Sequence, residues 1–109
     1  MIDFDLFDDD WYPTEELLAA IKDWHYEKGY LNLIELCKDA WNDCGSVEIS
    51  APEGPSSVVC KFVTGGWSGN EDIIGALMEN HIFWMLCWQE SKRGGVHTFK
   101  VKGPNNDKN

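Results

Sequence analysis

The sequence predicts an α+β fold in which an N-terminal αα-hairpin and a short third helix pack on a four-stranded, mostly antiparallel sheet, in the chain order ααββαββ. Three observations predict it. Apolar residues recur at helical spacing through residues 17–44, β-branched and alternating residues mark segments 57–63 and 96–102, and the glycine pair at 94–95 separates the last two apolar runs.

Two helices are expected in the first half of the chain. Thr14 followed by two acidic residues is typical of a helix start, with the Thr14 side chain as N-cap and the acids facing the positive end of the helix dipole. The apolar stripes at 17–24 and 30–44 predict the two helices. Each is expected to end at a glycine, Gly29 and Gly45.

Strands are expected where apolar and polar residues alternate. Val47 and Ile49 predict a first strand, 57–63 a second and 96–102 the last. Gly94-Gly95 is typical of a hairpin turn before the last strand.

A third helix and a further strand are expected between residues 68 and 90. Ser68-Gly69-Asn70-Glu71 has the spacing of a capping box, which predicts Ser68 as the N-cap of a helix closing near Asn80. The run His81–Glu90 carries apolar residues on both alternating faces. A buried helix could show the same run, but because the run is short and aromatic it is predicted to be a central strand covered on both sides.

Length and composition indicate one domain over residues 1–103, with 104–109 as a polar tail. No run approaches the roughly 18 consecutive apolar residues that a membrane span needs. The first residues lack the basic and apolar regions of a secretory signal. The four cysteines are scattered without a CxxC motif and are predicted to be buried, reduced thiols. A cytoplasmic location is expected.

Charge is the most informative bulk property. The formal net charge is −10, and residues 1–53 carry fourteen acids and three bases, whereas 54–109 carry five acids and six bases. Phosphates would be repelled by such a surface, which argues against direct nucleic-acid binding and favours a basic partner. High negative charge also confers solubility by itself, so both interpretations remain open.

The first thirteen residues alternate acids with large hydrophobic side chains. This pattern is expected to form a short edge strand or an arm that docks its aromatic residues and leaves its acids in solvent. Tryptophan and tyrosine are typical interface anchors. The predicted partner-binding residues are Asp5, Asp8, Asp9, Asp10, Trp11, Tyr12, Glu15 and Glu16.

A second candidate site is the glycine-rich loop before the third helix. Glycines between a strand and a helix N-terminus leave backbone N–H groups free to hold an anion, and an indole could stack on a planar ligand such as a nucleotide. The candidate residues are Gly65, Gly66, Trp67, Ser68, Gly69 and Asn70. The alternative is structural: the glycines allow a tight turn, Ser68 caps the helix and Trp67 packs over the core. Glu71 and Asp72 oppose a bound phosphate.

Catalytic machinery is not recognisable in the sequence. There is no G-x-S-x-G motif, and the three histidines are too dispersed to nominate a triad or a metal site. Asp8-Asp9-Asp10 could attract a divalent cation, but no EF-hand spacing follows. The sequence therefore nominates no catalytic residue, metal ligand or cofactor, and a non-enzymatic function is expected.

Part of the chain resembles a group of small uncharacterised proteins of bacteriophages and prophages. The resemblance is carried by Thr64–Glu71 (TGGWSGNE), Phe83-Trp84, Trp88, Arg93-Gly94-Gly95 and Phe99, and it covers about residues 58–101. No established activity belongs to that group, so no residue role is carried over. The resemblance implies a context in which small acidic proteins bind and block a host protein, as some anti-CRISPR inhibitors do.

These observations lead to one functional expectation and two alternatives. The leading hypothesis is a phage accessory or inhibitor protein whose acidic half engages a basic surface of a host protein, such as a nucleic-acid-binding groove where carboxylates replace phosphates. The alternatives are a binder of small anionic ligands through the loop Gly65–Glu71 and an immunity protein that neutralises a toxin. The sequence leaves the oligomeric state open.

Overall fold

A computed structural model describes residues 4–103; the predicted polar tail at 104–109 and residues 1–3 lie outside the described part. The elements in chain order are α1 (Glu15–Lys22), a 3₁₀ turn (Tyr26–Lys28), α2 (Tyr30–Asp39), β1 (Ser46–Ser50), β2 (Ser57–Val63), α3 (Ser68–Glu79), α4 (His81–Cys87), β3 (Trp88–Lys92) and β4 (Val96–Lys102). The strands form one antiparallel sheet in the order β1-β2-β4-β3. The α+β class and the predicted order of helices and strands are confirmed, with α4 as an additional helix.

The core lies between the helices and one face of the sheet. Cys60 of β2 pairs with Phe99 of β4, and both side chains are fully buried. The Phe99 ring lies 5.2 Å from that of Phe83 in α4 and 5.9 Å from that of Phe62 in β2, between ring centroids. Residues in alternate positions, such as the cross-strand pair Glu48 and Lys61, are exposed on the opposite face. Burial on one face explains the alternation of the strand sequences.

Both N-terminal helices are shorter than predicted. The Thr14 hydroxyl accepts a hydrogen bond from Leu17 N at 3.2 Å, which confirms the predicted N-cap. α1 ends at Lys22 rather than at Gly29, and α2 ends at Asp39, so the apolar stripes continue into loops. Trp41 shows why an apolar residue of the predicted stripe need not lie in a helix. It packs edge-on against Phe62 and donates to Val63 O at 3.0 Å, and a loop can place it there as well as a helix.

The prediction of a central strand over residues 81–90 is wrong. Residues 81–87 form α4, and β3 begins only at Trp88 and lies at the sheet edge. Asn80 starts the helix, because its side-chain oxygen accepts from Phe83 N at 3.3 Å while its amide donates to Ile21 O and Trp24 O, each at 3.0 Å. The run therefore follows helical rather than strand periodicity.

The last two strands follow the sequence pattern closely. β4 has the predicted bounds, and Gly94 and Gly95 adopt φ of +90° and +77° in the turn that joins it to β3. Positive φ explains why glycine occupies both positions.

Candidate functional site

The N-terminal segment folds back on itself as a loop whose two arms are joined by backbone contacts. Phe7 pairs with Pro13 as an isolated β-bridge, and Asp8 N donates to Tyr12 O at 2.8 Å. Further along, Thr14 N donates to Leu6 O at 3.1 Å. We refer to Asp8–Tyr12, the turn between these contacts, as the acidic turn.

Asp8 differs from its two neighbours, because its carboxylate builds the acidic turn. Its Oδ1 accepts from Asp10 N at 2.8 Å and from Tyr12 N at 3.0 Å. Such contacts between a carboxylate and the following backbone are the usual way in which an aspartate fixes a turn. All three aspartates are exposed, but the hydrogen bonds within the turn involve the Asp8 carboxylate and not those of Asp9 or Asp10. The run of three acids predicted for partner binding therefore contains one structural carboxylate and two that project into solvent.

Trp11 is the most unusual residue of the acidic turn. It is 67% exposed, and its φ of +67° lies in the left-handed region that side-chain-bearing residues rarely adopt. Within residues 4–103, the indole packs against one aromatic ring, that of Phe7, at 5.8 Å between centroids. Backbone strain of this kind is found preferentially at functional sites. An exposed indole on a strained, hydrogen-bonded turn is thus a candidate anchor for a partner.

The strain at Trp11 can be measured by substitution. Asparagine tolerates the left-handed region better than other side chains, so Trp11→Asn should be more stable than Trp11→Ala by about 0.5–1 kcal/mol, although both lose the contact with Phe7. Urea denaturation of the two variants measures the difference. Equal stabilities would mean that the backbone at this position is relaxed.

The acidic turn and the glycine-rich loop, predicted as two separate sites, lie against each other. The Tyr12 ring packs on that of Trp67 at 4.8 Å between centroids, and Ser68 Oγ donates to Tyr12 Oη at 3.0 Å. Gly69 packs tightly beneath Trp67 and Pro13, because a Cβ at this position would come within 3.0 Å of Pro13 Cδ. The N-terminal segment therefore covers the start of α3.

The groups predicted to hold a small ligand make contacts within the protein. The Asn70 side chain is buried and bonded to the backbone of Asn42 and Thr64. Ser68 is not the N-cap of α3. That position belongs to Trp67, which makes no side-chain cap, and the Ser68 hydroxyl bonds Tyr12 instead. Ligand binding by this loop stays a prediction. Of the structural alternative, the tight turn is present, with Gly65 and Gly66 at positive φ, whereas Ser68 does not cap the helix and Trp67 packs on Tyr12.

Acidic side chains continue from the acidic turn onto neighbouring helices. Asp5, Glu15, Glu16, Glu71 and Asp72 are all exposed, and the chain contains no lysine or arginine before Lys22. The ion pairs within residues 4–103 are Lys22–Glu79, His25–Glu27, Lys92–Glu90 and Lys100–Glu53. Within that part of the chain, no carboxylate of this surface has a basic partner. The resulting potential favours a positively charged molecule.

A second exposed surface was not predicted. Met78 at the end of α3 and residues of α4 expose large apolar side chains, with Met85 at 75%. The remaining members are Ile82, Leu86 and Trp88. Their spacing of three and four residues is the signal that could have identified an exposed helix stripe. It was missed because the segment was interpreted as a buried strand.

A cleft of about 630 Å³ lies between the 3₁₀ turn, the start of α2, α4 and the end of β4. Its lining includes Tyr26, Tyr30, Leu86 and Lys102. Burial, with smaller contributions from Cys87 and Tyr26, raises the pKa of the Tyr30 hydroxyl, which therefore stays protonated at neutral pH. None of the residues predicted for partner or ligand binding lines this cleft.

Three of the four thiols, those of Cys37, Cys60 and Cys87, are poor candidates for nucleophilic chemistry. Burial raises the pKa of Cys60 to about 12 and that of Cys87 to about 11, and it also raises the pKa of Cys37. These thiols therefore stay protonated at neutral pH, whereas a nucleophilic cysteine acts as the thiolate. Cys44 is exposed, contrary to the expectation that all four are buried.

Among residues 4–103, no group of three or more His, Cys, Asp or Glu side chains is arranged to hold a metal ion. No helix in the described part of the chain is long and apolar enough to cross a membrane. Comparison of the chain with protein-family models, with curated proteins and with solved structures finds no match. A functional proposal therefore depends on the geometry described above and on the sequence itself.

Proposed function

We propose that this protein is a non-catalytic accessory or inhibitor protein that binds a basic surface of a host protein through its acidic turn. One observation carries the proposal: the acidic turn presents an exposed Trp11 beside Asp9 and Asp10, whose carboxylates have no basic partner within residues 4–103. Tryptophan is enriched among the residues that dominate binding energy, and complementary charge accelerates encounter. The turn combines both properties.

The rigidity of the turn also supports binding. Side chains that must be ordered on association reduce affinity, and a surface that is already ordered avoids this loss. The Asp8 carboxylate and the Phe7–Pro13 bridge hold the backbone of the turn, while Tyr12 attaches it to Trp67 and Ser68. Asp9, Asp10 and Trp11 are thus presented from a fixed backbone.

The proposed partner is a protein that binds nucleic acid through a basic groove, in which the carboxylates take the positions of phosphates. A phage or prophage setting follows from the resemblance at residues 58–101 and is part of the proposal. A toxin whose active surface is basic would meet the same chemistry, and an immunity protein would then use the same turn. The identity of the partner distinguishes an inhibitor of a nucleic-acid-binding protein from an immunity protein.

Affinity capture from nuclease-treated bacterial lysate tests the proposal, with elution along a salt gradient and identification by mass spectrometry. The expected result is a stoichiometric nucleic-acid-binding protein that salt releases, since screening weakens interactions between exposed charges. Absence of a stoichiometric partner, or retention that is insensitive to salt, would contradict it.

Neutralising Asp9 and Asp10 should weaken binding without affecting the fold. We expect Asp9→Asn/Asp10→Asn to reduce affinity for the captured partner by about tenfold at low salt, with a smaller difference as salt is raised. Asp8 is left unchanged because it builds the turn. The matched control is Asp39→Asn/Asp43→Asn, which makes the same change of charge at exposed positions near the end of α2. An equal loss in both variants would indicate a nonspecific effect of net charge.

A further inference from the structure

Strand β3 lies at one edge of the sheet and is exposed along its whole length. It pairs with β4 on one side, and no strand within residues 4–103 pairs with it on the other. All five residues, Trp88–Lys92, are exposed. Edge strands are usually protected from pairing by proline, bulges or charged side chains. The charged residues of β3, Glu90 and Lys92, have opposite signs, so they can complement a second β3 strand rather than repel it. β3 contains no proline, and its irregularity lies near its start, between Trp88 and Glu90.

The direction of the backbone groups identifies which residue of β3 faces outward. Gly95 O accepts from Thr64 N and Gly103 N donates to Ser56 O, each at 3.0 Å, so the backbone of odd-numbered positions along β4 points toward β2. Backbone groups alternate in direction along an antiparallel strand, so the even-numbered positions of β4 point toward β3. Their partners there are Glu90 and Lys92. Ser91, between them, therefore points its N–H and C=O away from the sheet.

Ser91 lies at the centre of a self-complementary sequence. An antiparallel pairing of two β3 strands about a two-fold axis at Ser91 would let the two Ser91 residues exchange both backbone hydrogen bonds. The same register places Glu90 of each copy opposite Lys92 of the other. Directly opposite side chains in such a pair are close, and opposite charges there stabilise the pairing. In a single copy Lys92 Nζ lies 3.8 Å from Glu90 Oε2, and both side chains are exposed and on one face.

The opposite face of this edge is aromatic. Trp88 is 40% exposed and stacks on Trp84 at 5.8 Å between centroids, and its Nε1 donates to Ser91 Oγ at 2.8 Å. A two-fold axis perpendicular to the sheet would bring the Trp88 rings of both copies to the same side of the joined sheet. Tryptophan at the centre of an interface is a frequent source of binding energy.

From this geometry we infer that the protein forms a homodimer by pairing its β3 strands into one continuous eight-stranded sheet, with two Glu90–Lys92 ion pairs across the two-fold axis. The occupant of the β3 edge is a second copy, because the charges on the edge complement themselves in that register. The inference depends on β3 and not on the acidic turn, so it can fail or succeed independently of the proposed host partner.

Sedimentation velocity of the full chain over a concentration series up to about 1 mM tests the dimer. The weight-average mass should rise from 12.4 kDa toward twice that value. Lys92→Glu and Glu90→Lys each place like charges opposite one another twice per dimer, and each should raise the dissociation constant by at least about tenfold. An equimolar mixture of the two variants restores both ion pairs and should dimerise.

Two controls locate the interface. Glu48→Lys changes a charge on β1, at the other edge of the sheet, and should leave the dimer unchanged. Circular dichroism of each variant verifies the fold. A mass of 12.4 kDa at every concentration would overturn the inference. It would equally be overturned by a dimer that survives Lys92→Glu but is lost in Met85→Glu, since the contact would then lie on α4.

Discussion

Replacing Gly65 with alanine is expected to destabilise the protein by about 3 kcal/mol, which corresponds to a fall in Tm of about 15 °C. Two costs combine. The φ of Gly65 is +65°, where a Cβ is unfavourable, and the Cβ itself would overlap the backbone carbonyl of Cys44. A carbonyl cannot move aside as the end of a flexible side chain can, so the loop between α2 and β1 would have to shift. Urea denaturation and thermal melting measure the loss.

Gly66→Ala provides the matched control. Gly66 also has a positive φ, +78°, but nothing lies within 4 Å of the position that a Cβ would occupy. Only the backbone cost remains, about 1 kcal/mol. Equal losses in the two variants would show that Gly65 does not contact the loop around Cys44. The turn would then be as open as a ligand-binding loop requires.

Replacing Asn70 with alanine should cost about 3–4 kcal/mol, because the side chain is 1% exposed and makes three hydrogen bonds. Its Oδ1 accepts from Asn42 N at 2.9 Å, and its Nδ2 donates to Asn42 O at 3.3 Å and to Thr64 O at 3.1 Å. Removing it leaves these backbone groups without their side-chain partner. Chemical denaturation gives the free energy of unfolding directly.

The control for Asn70 is Asn32→Ala on α2. Asn32 is exposed, and its Nδ2 donates a local hydrogen bond to Lys28 O at 2.7 Å. Asn32→Ala should therefore lower the free energy of unfolding by less than about 1 kcal/mol. If Asn70→Ala and Asn32→Ala lower the free energy of unfolding equally, the buried Asn70 amide does not hold the loops together. The hydrogen-bond network around α3 would then be less important than its burial indicates.

These two positions also matter for the proposed function. Gly65 and Asn70 fix the turn that leads into α3, and Trp67 and Ser68 at the start of that helix hold Tyr12 of the acidic turn. A variant that loosens this region should therefore disorder the acidic turn as well as reduce stability. The glycine-rich loop thus has a definite part in the proposed binding surface even if it binds no ligand.

Most of the candidate site could be nominated from composition and alternation, but the different roles of its residues could not. The alternation of acids and aromatic residues before residue 14 indicated a binding surface, and the charge asymmetry indicated a basic partner. Neither pattern distinguishes Asp8 from Asp9 or Asp10. The distinction arises from two hydrogen bonds to the backbone of Asp10 and Tyr12, which depend on how the turn folds.

The sequence by itself determined the α+β class, the Thr14 cap, the bounds of β2 and β4 and the acidic N-terminal half, because each depends on neighbouring residues and a period of two or about 3.6. Only the tertiary structure decided that residues 81–87 form a helix, since an apolar run suits either element until its burial is known. It also brought Tyr12 to Trp67 and Ser68, more than fifty residues away. Contacts of that range follow from packing and leave no local periodic signal.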